Sequence, residues 1–401
     1  MVIRKSHLYA YLIILFPIFN LLGGFFGYYD ELIGLIAIIY IWFCVIKGKL
    51  DKTSALITVL LAVITAIGIF SNIMSHLILN PFPIVIDILW LWKTFACFIF
   101  FSRICSDRYI CTQIINVLKT FSKLVIILLF ISSIIGQVID IGVTGESAVF
   151  GFKVYGFFWK NGIQTGWLAF CSLILLSLSK CDNKSFYKYF ILTCIPLILT
   201  GSSLVYCWII VSFMLFIGMK EQKSFKIRYI ILIGAVVALF IWSDLQVYFL
   251  SGNSSVRKTL IEYGIKVANM YFPFGSGFAT YGSDMAQRYY SSLYQSFGWT
   301  NSWALGVNSS FLNDNFFASI LGQFGWISFV LYLCALYSVF RTLNTNKISK
   351  RTRVTVLSTV IVIFAVMIGS ASAKSMMGVC TFSVLGIAYG VIQCNDGCIE
   401  E

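Results

Sequence analysis

Charged side chains are scarce. Only 11% of the 401 residues are Asp, Glu, Lys or Arg, against about 25% in soluble domains, and that excludes a water-soluble globular fold. Histidine occurs twice, at His7 and His76. With no DxD motif and no clustered His, Asp and Glu set, the chain calls for no metal and no cofactor. The twelve cysteines include no CxxC pair. Nearly all of them fall in apolar runs or in loops expected on the cytoplasmic side, so neither a disulfide framework nor a thiolate metal site is supported. They read as small apolar packing residues. No small-residue cleavage site follows the apolar run from Leu8, so Arg4, Lys5 and that run read as an uncleaved signal anchor. Neither an internal repeat of the kind found in transporter halves nor a low-complexity linker is visible.

What is present is apolar: 59% hydrophobic and 17% aromatic residues, gathered in blocks such as Leu32 to Ile46, Ser54 to Phe70, Leu124 to Ile139 and Tyr229 to Trp242. Each is long enough to cross about 30 Å of hydrocarbon. The expected fold is an all-α polytopic bundle of about twelve spans, at 8–27, 32–46, 54–70, 84–101, 122–140, 163–179, 187–200, 203–219, 229–247, 316–340, 354–371 and 376–393. The organisation is therefore nine helices over 1–247, an outer loop over 248–315, and three helices with a cytoplasmic C-terminus over 316–401. The pair at 187–200 and 203–219, separated by Gly201 and Ser202, reads either as a tight outer hairpin or as one broken segment.

The net charge of +13 is mostly topological. With the N-terminus inside, 21 of the 29 Lys and Arg residues fall in cytoplasmic loops, seven lie outside and Lys93 lies within a span. That asymmetry follows the positive-inside rule and makes both termini cytoplasmic. No nucleic-acid partner is needed to account for the charge.

The outer loop is the expected seat of function. Between Tyr248 and Asn315 lie 68 residues with four basic groups and many aromatic rings, too apolar for a disordered tail. Asn253-Ser254-Ser255 offers capping residues for an amphipathic helix over Val256 to Met270. On it Lys258, Glu262 and Lys266 share one stripe. Arg257 belongs to another, with Ile261, Gly264, Ile265 and Ala268. A guanidinium on a face turned to protein or lipid is costly unless an anion meets it, and its planar fork suits phosphate; the alternative is snorkelling to lipid headgroups. Gly275 and Gly277, in Pro273-Phe-Gly-Ser-Gly277, form a turn that can offer amide N–H groups to an anion, or is simply a turn. Tyr281, Tyr289, Tyr290, Tyr294, Phe297, Trp299 and Trp303 suit stacking on sugars, although composition alone favours an aromatic belt at the bilayer interface. Asp314, where the chain re-enters the membrane, is a partly desolvated base, the N-cap of the next span, or both at once, and Asp284 is a second candidate base. Lys93 and Asp87 are intramembrane ionisable groups and functional candidates by default. They lie about 240° apart on one helix and are not expected to pair. Lys153 and Lys160 make a second cationic patch on the outer side.

Ser255-Val-Arg257 and its helix, Phe272-Pro-Phe-Gly275-Ser-Gly277-Phe-Ala-Thr-Tyr281-Gly282, Tyr289-Tyr-Ser291, and Asn313-Asp-Asn315 with Ile320-Leu-Gly-Gln-Phe-Gly325 together resemble the O-antigen and capsular polysaccharide polymerase family (Wzy type). The O-antigen ligases are similar in architecture. The resemblance implies a GT-C-like membrane glycosyltransferase acting on undecaprenyl pyrophosphate-linked oligosaccharides at the outer face of the cytoplasmic membrane. A flippase and a chain-length regulator are its implied partners, and membrane lipids surround it. By position Arg257 matches the family's loop arginine. Asp314 falls where ligases usually carry a histidine, which favours a polymerase. Gly201-Ser202-Ser203 stands where relatives often carry an arginine, and Lys153 has lysine where arginine is common. The implied site joins Asp314 and Arg257 as catalytic groups with Lys153, Lys160, Lys258, Arg288, Gly275, Gly277, Tyr281, Asn315 and Lys93 as substrate contacts. The rival from another class is a transporter or lipid flippase built on Lys93 and Asp87.

Overall fold

With so few polar residues to compete for backbone groups, long apolar runs satisfy their amides internally as helices. The computed structural model describes residues 5–78, 80–149, 151–179, 181–219, 246 and 255–396, and it is mostly helical. Its helices are α1 (Lys5–Leu22), α2 (Tyr29–Ile46), α3 (Lys52–Ser75), α4 (Pro81–Ile104), α5 (Arg108–Val138), α6 (Gly162–Leu178), α7 (Asn183–Leu199), α8 (Ser203–Gly218), α9 (Val256–Met270), α10 (Asp284–Arg288), α11 (Ser292–Ser296), α12 (Phe316–Leu343), α13 (Lys350–Gly369) and α14 (Met376–Asp396). Among the described residues seven helices are long and apolar enough to cross a membrane, and three shorter ones are also apolar. The chain is membrane-embedded.

Starts are set by side-chain caps. Asp51, Asn80, Asp107, Asn161 and Asp182 each accept a backbone N–H from the first turn of the helix they precede, a contact worth about 1 kcal/mol. These caps also explain departures from the expected spans. Asp107 starts α5 at Arg108, not at 122, because the amphipathic stretch before the apolar run is helical too. Gly23 and Gly24, with φ of 60° and 54°, stop α1 at Leu22. After a 3-10 turn over Gly24–Tyr28, α2 begins at Tyr29, drawing Asp30 and Glu31 into its first turn. The pair at 187–200 and 203–219 is a hairpin: Gly201 takes φ 64°, and Phe190 meets the rings of Phe213 and Phe216 across it. Between α5 and α6 lies an antiparallel hairpin of β1 (Thr144–Val149) and β2 (Phe152–Tyr155) that the sequence reading did not anticipate. The expected span at 229–247 lies outside the described residues, Gln246 apart.

At the centre runs α4, buried on all sides from Trp90 to Phe101. It packs on α14 and α2. Glycines let the backbones approach: a Cβ at Gly386 of α14 would lie 2.3 Å from the Phe98 carbonyl oxygen, and one at Gly34 of α2 would lie 2.6 Å from Lys93 Cβ. That second contact fixes the height of α2 against α4. Beyond Lys93, α4 continues twelve residues toward the end of the bundle that carries the long loop, whereas beyond Gly34 α2 has only five. At about 1.5 Å per residue the α1–α2 tip ends about 10 Å short of α4, leaving a recess.

The long loop has a core of its own, formed by Leu260, Val267, Tyr281, Tyr290, Leu293, Tyr294, Trp299, Leu305 and Leu312. Through α9 it packs on α12, which in turn packs on α3. Gly386→Leu should force α4 and α14 apart and lower stability by about 1–3 kcal/mol or more. Thermal unfolding of the purified protein in detergent checks this, and an unchanged melting temperature would refute the close crossing.

Candidate functional site

The recess is a cavity of about 440 Å³. Five parts of the chain line it: the α1–α2 tip with Asp30 and Glu31, Trp90 and Lys93 of α4, Asn161 at the start of α6, the loop carboxylates Asp284 and Asp314, and the turn Ser370–Ser375 between α13 and α14.

At its floor the Lys93 ammonium is buried and meets Asp30 at 2.5 Å and Glu31 at 2.9 Å. Asp30 precedes Gly34 by one helical turn on the same face, so the close α2–α4 contact carries it onto Lys93. Without these partners a lysine at this depth would be costly. The expectation that Asp87 does not pair with Lys93 agrees with the geometry. Asp87 instead accepts the Ala279 N–H at 2.9 Å, which makes it an anchor for the loop; it is not among the cavity-lining residues.

Other anchors hold the same segment. Asn72 grips Phe278 on both sides, accepting from its N–H at 2.7 Å and donating to its carbonyl at 2.9 Å. Ser71 and Ser75 donate to the carbonyls of Phe274 and Ser276. Gly275 and Gly277 therefore do not face an anion: their N–H groups donate to Tyr271 and Gln323 carbonyls. Their glycine character serves packing, since a Cβ at Gly275 would collide with the backbone of Gln323 and Gly325. Gly325 itself, at φ 70°, kinks α12 to admit them. Tyr281 is likewise a core residue, fully buried with its hydroxyl donating to the Leu260 carbonyl at 2.6 Å. Tyr290, Tyr294 and Trp299 are buried with it, so the aromatic segment is mainly a core and only in part a belt; Tyr289 and Trp303 remain exposed.

The cap of α12 is Asn315, not Asp314. Asn315 accepts the Ala318 N–H and donates to the Ile368 carbonyl, so it is structural, and the Asp314 carboxylate is left to meet Arg257 Nε at 3.3 Å. Arg257 reaches it from α9, which Ser255 caps by accepting the Lys258 N–H. The Arg257 stripe, expected to face protein or lipid, faces protein at Gly264, which lies directly on Ala318 of α12, and at the buried Ala268, while Ile265 is exposed. Burial raises the Asp314 carboxyl above its ordinary range, and Arg257 offsets only part of that. Asp284 differs. Burial pushes it up too, but the Lys374 charge and a hydrogen bond from Asn313 outweigh this and hold it below the ordinary carboxylate value.

Lys374, in the turn Ser372–Lys374, is 7% exposed. Its ammonium lies 3.9 Å from the centre of the Trp90 ring, and among the described residues no atom accepts a hydrogen bond from it. Burial pushes it down to about 8, partly resisted by Asp284 and Asp87.

The remaining expected contacts are spread over the surface. Lys153 and Lys160 are exposed on the β-hairpin and just before α6, with Lys160 next to the cavity residue Asn161; Arg288 is exposed on α10. Lys258 stands 4.0 Å from Glu262, while Lys266 turns to the rings of Tyr263 and Phe297. None of these lines the cavity. The sequence reading missed Asp30 and Glu31, placed just before an expected span, and counted Lys374 only as an outer charge. The available signal was that an intramembrane lysine requires an anion, and an acidic pair abuts a neighbouring span. Among the described residues no three His, Cys, Asp or Glu side chains gather as a metal site.

No family model matches the chain, and no curated protein does. The cavity's chemistry must be argued from its residues.

Lys93→Met should cost about 3–5 kcal/mol by leaving two carboxylates unpaired, and Asp30→Asn in the same chain should restore much of it. Thermal unfolding of both single variants and the double variant measures the coupling. Simply additive losses would refute the ion cluster.

Proposed function

We propose that the protein is a membrane glycosyltransferase of the O-antigen and capsular polysaccharide polymerase type, a twelve-span GT-C-like enzyme with both termini in the cytoplasm and its site on the outer side of the cytoplasmic membrane. The observation that carries this reading is that the Asp314 carboxylate, raised in proton affinity and touching Arg257, opens on one cavity with Lys93 and Lys374. The long loop that supplies it is folded and anchored on the bundle.

In the proposed reaction the growing glycan is held on undecaprenyl pyrophosphate, and the next lipid-linked repeat unit supplies a hydroxyl. That hydroxyl's oxygen bonds to the anomeric carbon of the donor while Asp314 takes its proton. The anomeric carbon–oxygen bond breaks, its electron pair leaves with the pyrophosphate, and the positive charge of Arg257 and its neighbours stabilises that leaving group. The anomeric configuration inverts, no metal is required, and the chain extends at its reducing end. A flippase delivering the repeat unit and a chain-length regulator are the partners such a reaction implies. Transfer to a lipid A core in place of a repeat unit would make the enzyme a ligase.

A second reading has its own observation. The Lys93–Asp30–Glu31 cluster within the bundle is the kind of buried charge set that transporters use, which points to a flippase of lipid-linked oligosaccharides. If Lys93→Met abolished function in a well-folded chain while Arg257→Ala and Asp314→Ala were silent, transport would be the better account.

The deciding assay supplies purified protein in liposomes with its lipid-linked repeat unit. Wild type should build a glycan ladder, and Asp314→Ala should slow it about 10²–10⁴-fold, with Arg257→Ala also strongly impaired. Because Asp314 acts only when ionised and its carboxyl is raised, the wild-type rate should fall as pH drops through that raised value. A folded wild type that builds no ladder from its native substrate would sink the polymerase reading.

A further inference from the structure

Lys93, Lys374 and the nearby Arg257 differ in what already holds them. Lys93 is clasped by Asp30 and Glu31. Arg257 is engaged by Asp314 and does not itself line the cavity. Lys374 lines it and, among the described residues, has no carboxylate oxygen within 4.0 Å and donates no hydrogen bond. The Ser372 hydroxyl, from the same turn and also on the cavity wall, likewise has no partner among the described residues. Immediately after them α14 begins, its first residue Met376 on the wall as well, so the positive end of a 21-residue helix adds to the field there.

We propose that Lys374 and Ser372, at the start of α14, form the phosphoryl-binding subsite of this cavity and hold the pyrophosphate of the lipid-linked substrate directly. The inference rests on the glycosyltransferase reading and sharpens it, because Arg257 then acts on the reaction through Asp314 and not as the first contact of the anion. The subsite is built for an anion on physical grounds. A buried ammonium held only by a ring face and by distant carboxylates is poorly stabilised, whereas a phosphoryl oxygen supplies both the charge and the acceptor that Lys374 and Ser372 lack. A pyrophosphate diester carries its charge on small oxygens, which a point-like ammonium suits. Trp90, beneath the ammonium and against Phe316, fixes its position.

The test uses the full chain in detergent and three probes: farnesyl diphosphate, inorganic pyrophosphate and farnesol. Wild type should bind farnesyl diphosphate, and Lys374→Gln should weaken that binding at least tenfold, whereas Lys374→Arg, which keeps the charge, should retain most of it. A role confined to structure would instead lower the melting temperature of Lys374→Gln and leave its affinity for farnesyl diphosphate unchanged. Lys374 is faced by Asp284 on α10, by Asp87 and Lys93 on α4 and by Asp314 before α12. Because it loses its proton near pH 8, wild-type affinity should fall as pH rises through that value, and Lys374→Gln should show no such fall. Comparable binding of inorganic pyrophosphate would support the anion subsite and assign it to free pyrophosphate; preference for farnesyl diphosphate assigns it to the lipid. Farnesol binding as tightly as its diphosphate, no anion binding by wild type, or Lys374→Gln binding like wild type while Arg257→Gln does not, would each overturn the subsite. The last outcome would leave the polymerase reading standing. Conversely, Lys374-dependent binding in a protein that builds no glycan ladder would keep the subsite and discard the polymerase.

Discussion

A lysine ammonium in the middle of a buried central helix is the constraint from which the rest of the arrangement follows. Lys93 cannot be solvated where it stands and cannot reach along its own helix to Asp87, so another helix must bring carboxylates to it. α2 does so with Asp30 and Glu31, and the approach is close enough only because residue 34 is glycine. Fixing α2 at that height leaves the α1–α2 tip short of the neighbouring helices. The cavity is the space that remains, and one ion cluster thus sets both the packing of the central helices and the position of the site.

The loop depends on the bundle in the same way. A segment with so many backbone groups held against apolar helices must find acceptors and donors for all of them. Asn72, Asp87 and Gln323 project from α3, α4 and α12 to supply some of them, with Gln323 donating to the Tyr281 carbonyl at 2.7 Å. Asn72, Asp87 and Gln323 are hooks for a loop, not ligands for a substrate. That division explains why the glycine turn at Gly275 and Gly277 offers nothing to an anion, while the loop carboxylates Asp284 and Asp314 face the cavity.

The sequence carried much of this and withheld the rest for physical reasons. Helix positions follow from apolar runs, and the helix at Val256–Met270 follows from its cap and its periodicity. The contact of Arg257 with Asp314 could be anticipated in kind, because a guanidinium on a protein-facing stripe needs an anion, but its partner lies 57 positions away and only the fold selects it. That Asn315 and not Asp314 caps α12 has a simpler reason: adjacent Asp and Asn cap equally well, so the sequence does not say which does. Lys374 is unreadable as a cavity residue because its neighbours Trp90 and Asp87 on α4 and Asp284 on α10 are far away in sequence. Tyr281 and Tyr294 looked like interfacial rings because composition does not distinguish a belt from a small core.

The two cavity carboxylates show how one site can hold different protonation behaviour. Asp284 is kept acidic mainly by the Lys374 charge and by Asn313 working against burial, whereas burial prevails at Asp314 despite Arg257 and a weaker contribution from Lys374. On the glycosyl-transfer reading this makes Asp314 the better proton acceptor and Asp284 a fixed negative charge. It also links base strength to occupancy. An anion seated on Lys374 cancels part of the positive charge that lowers Asp314's affinity for a proton, so Asp314 becomes a stronger base once the pyrophosphate is in place. A hydroxyl is then activated when a donor is present to receive it, and the neighbouring water in an otherwise open cavity meets a weaker base before that.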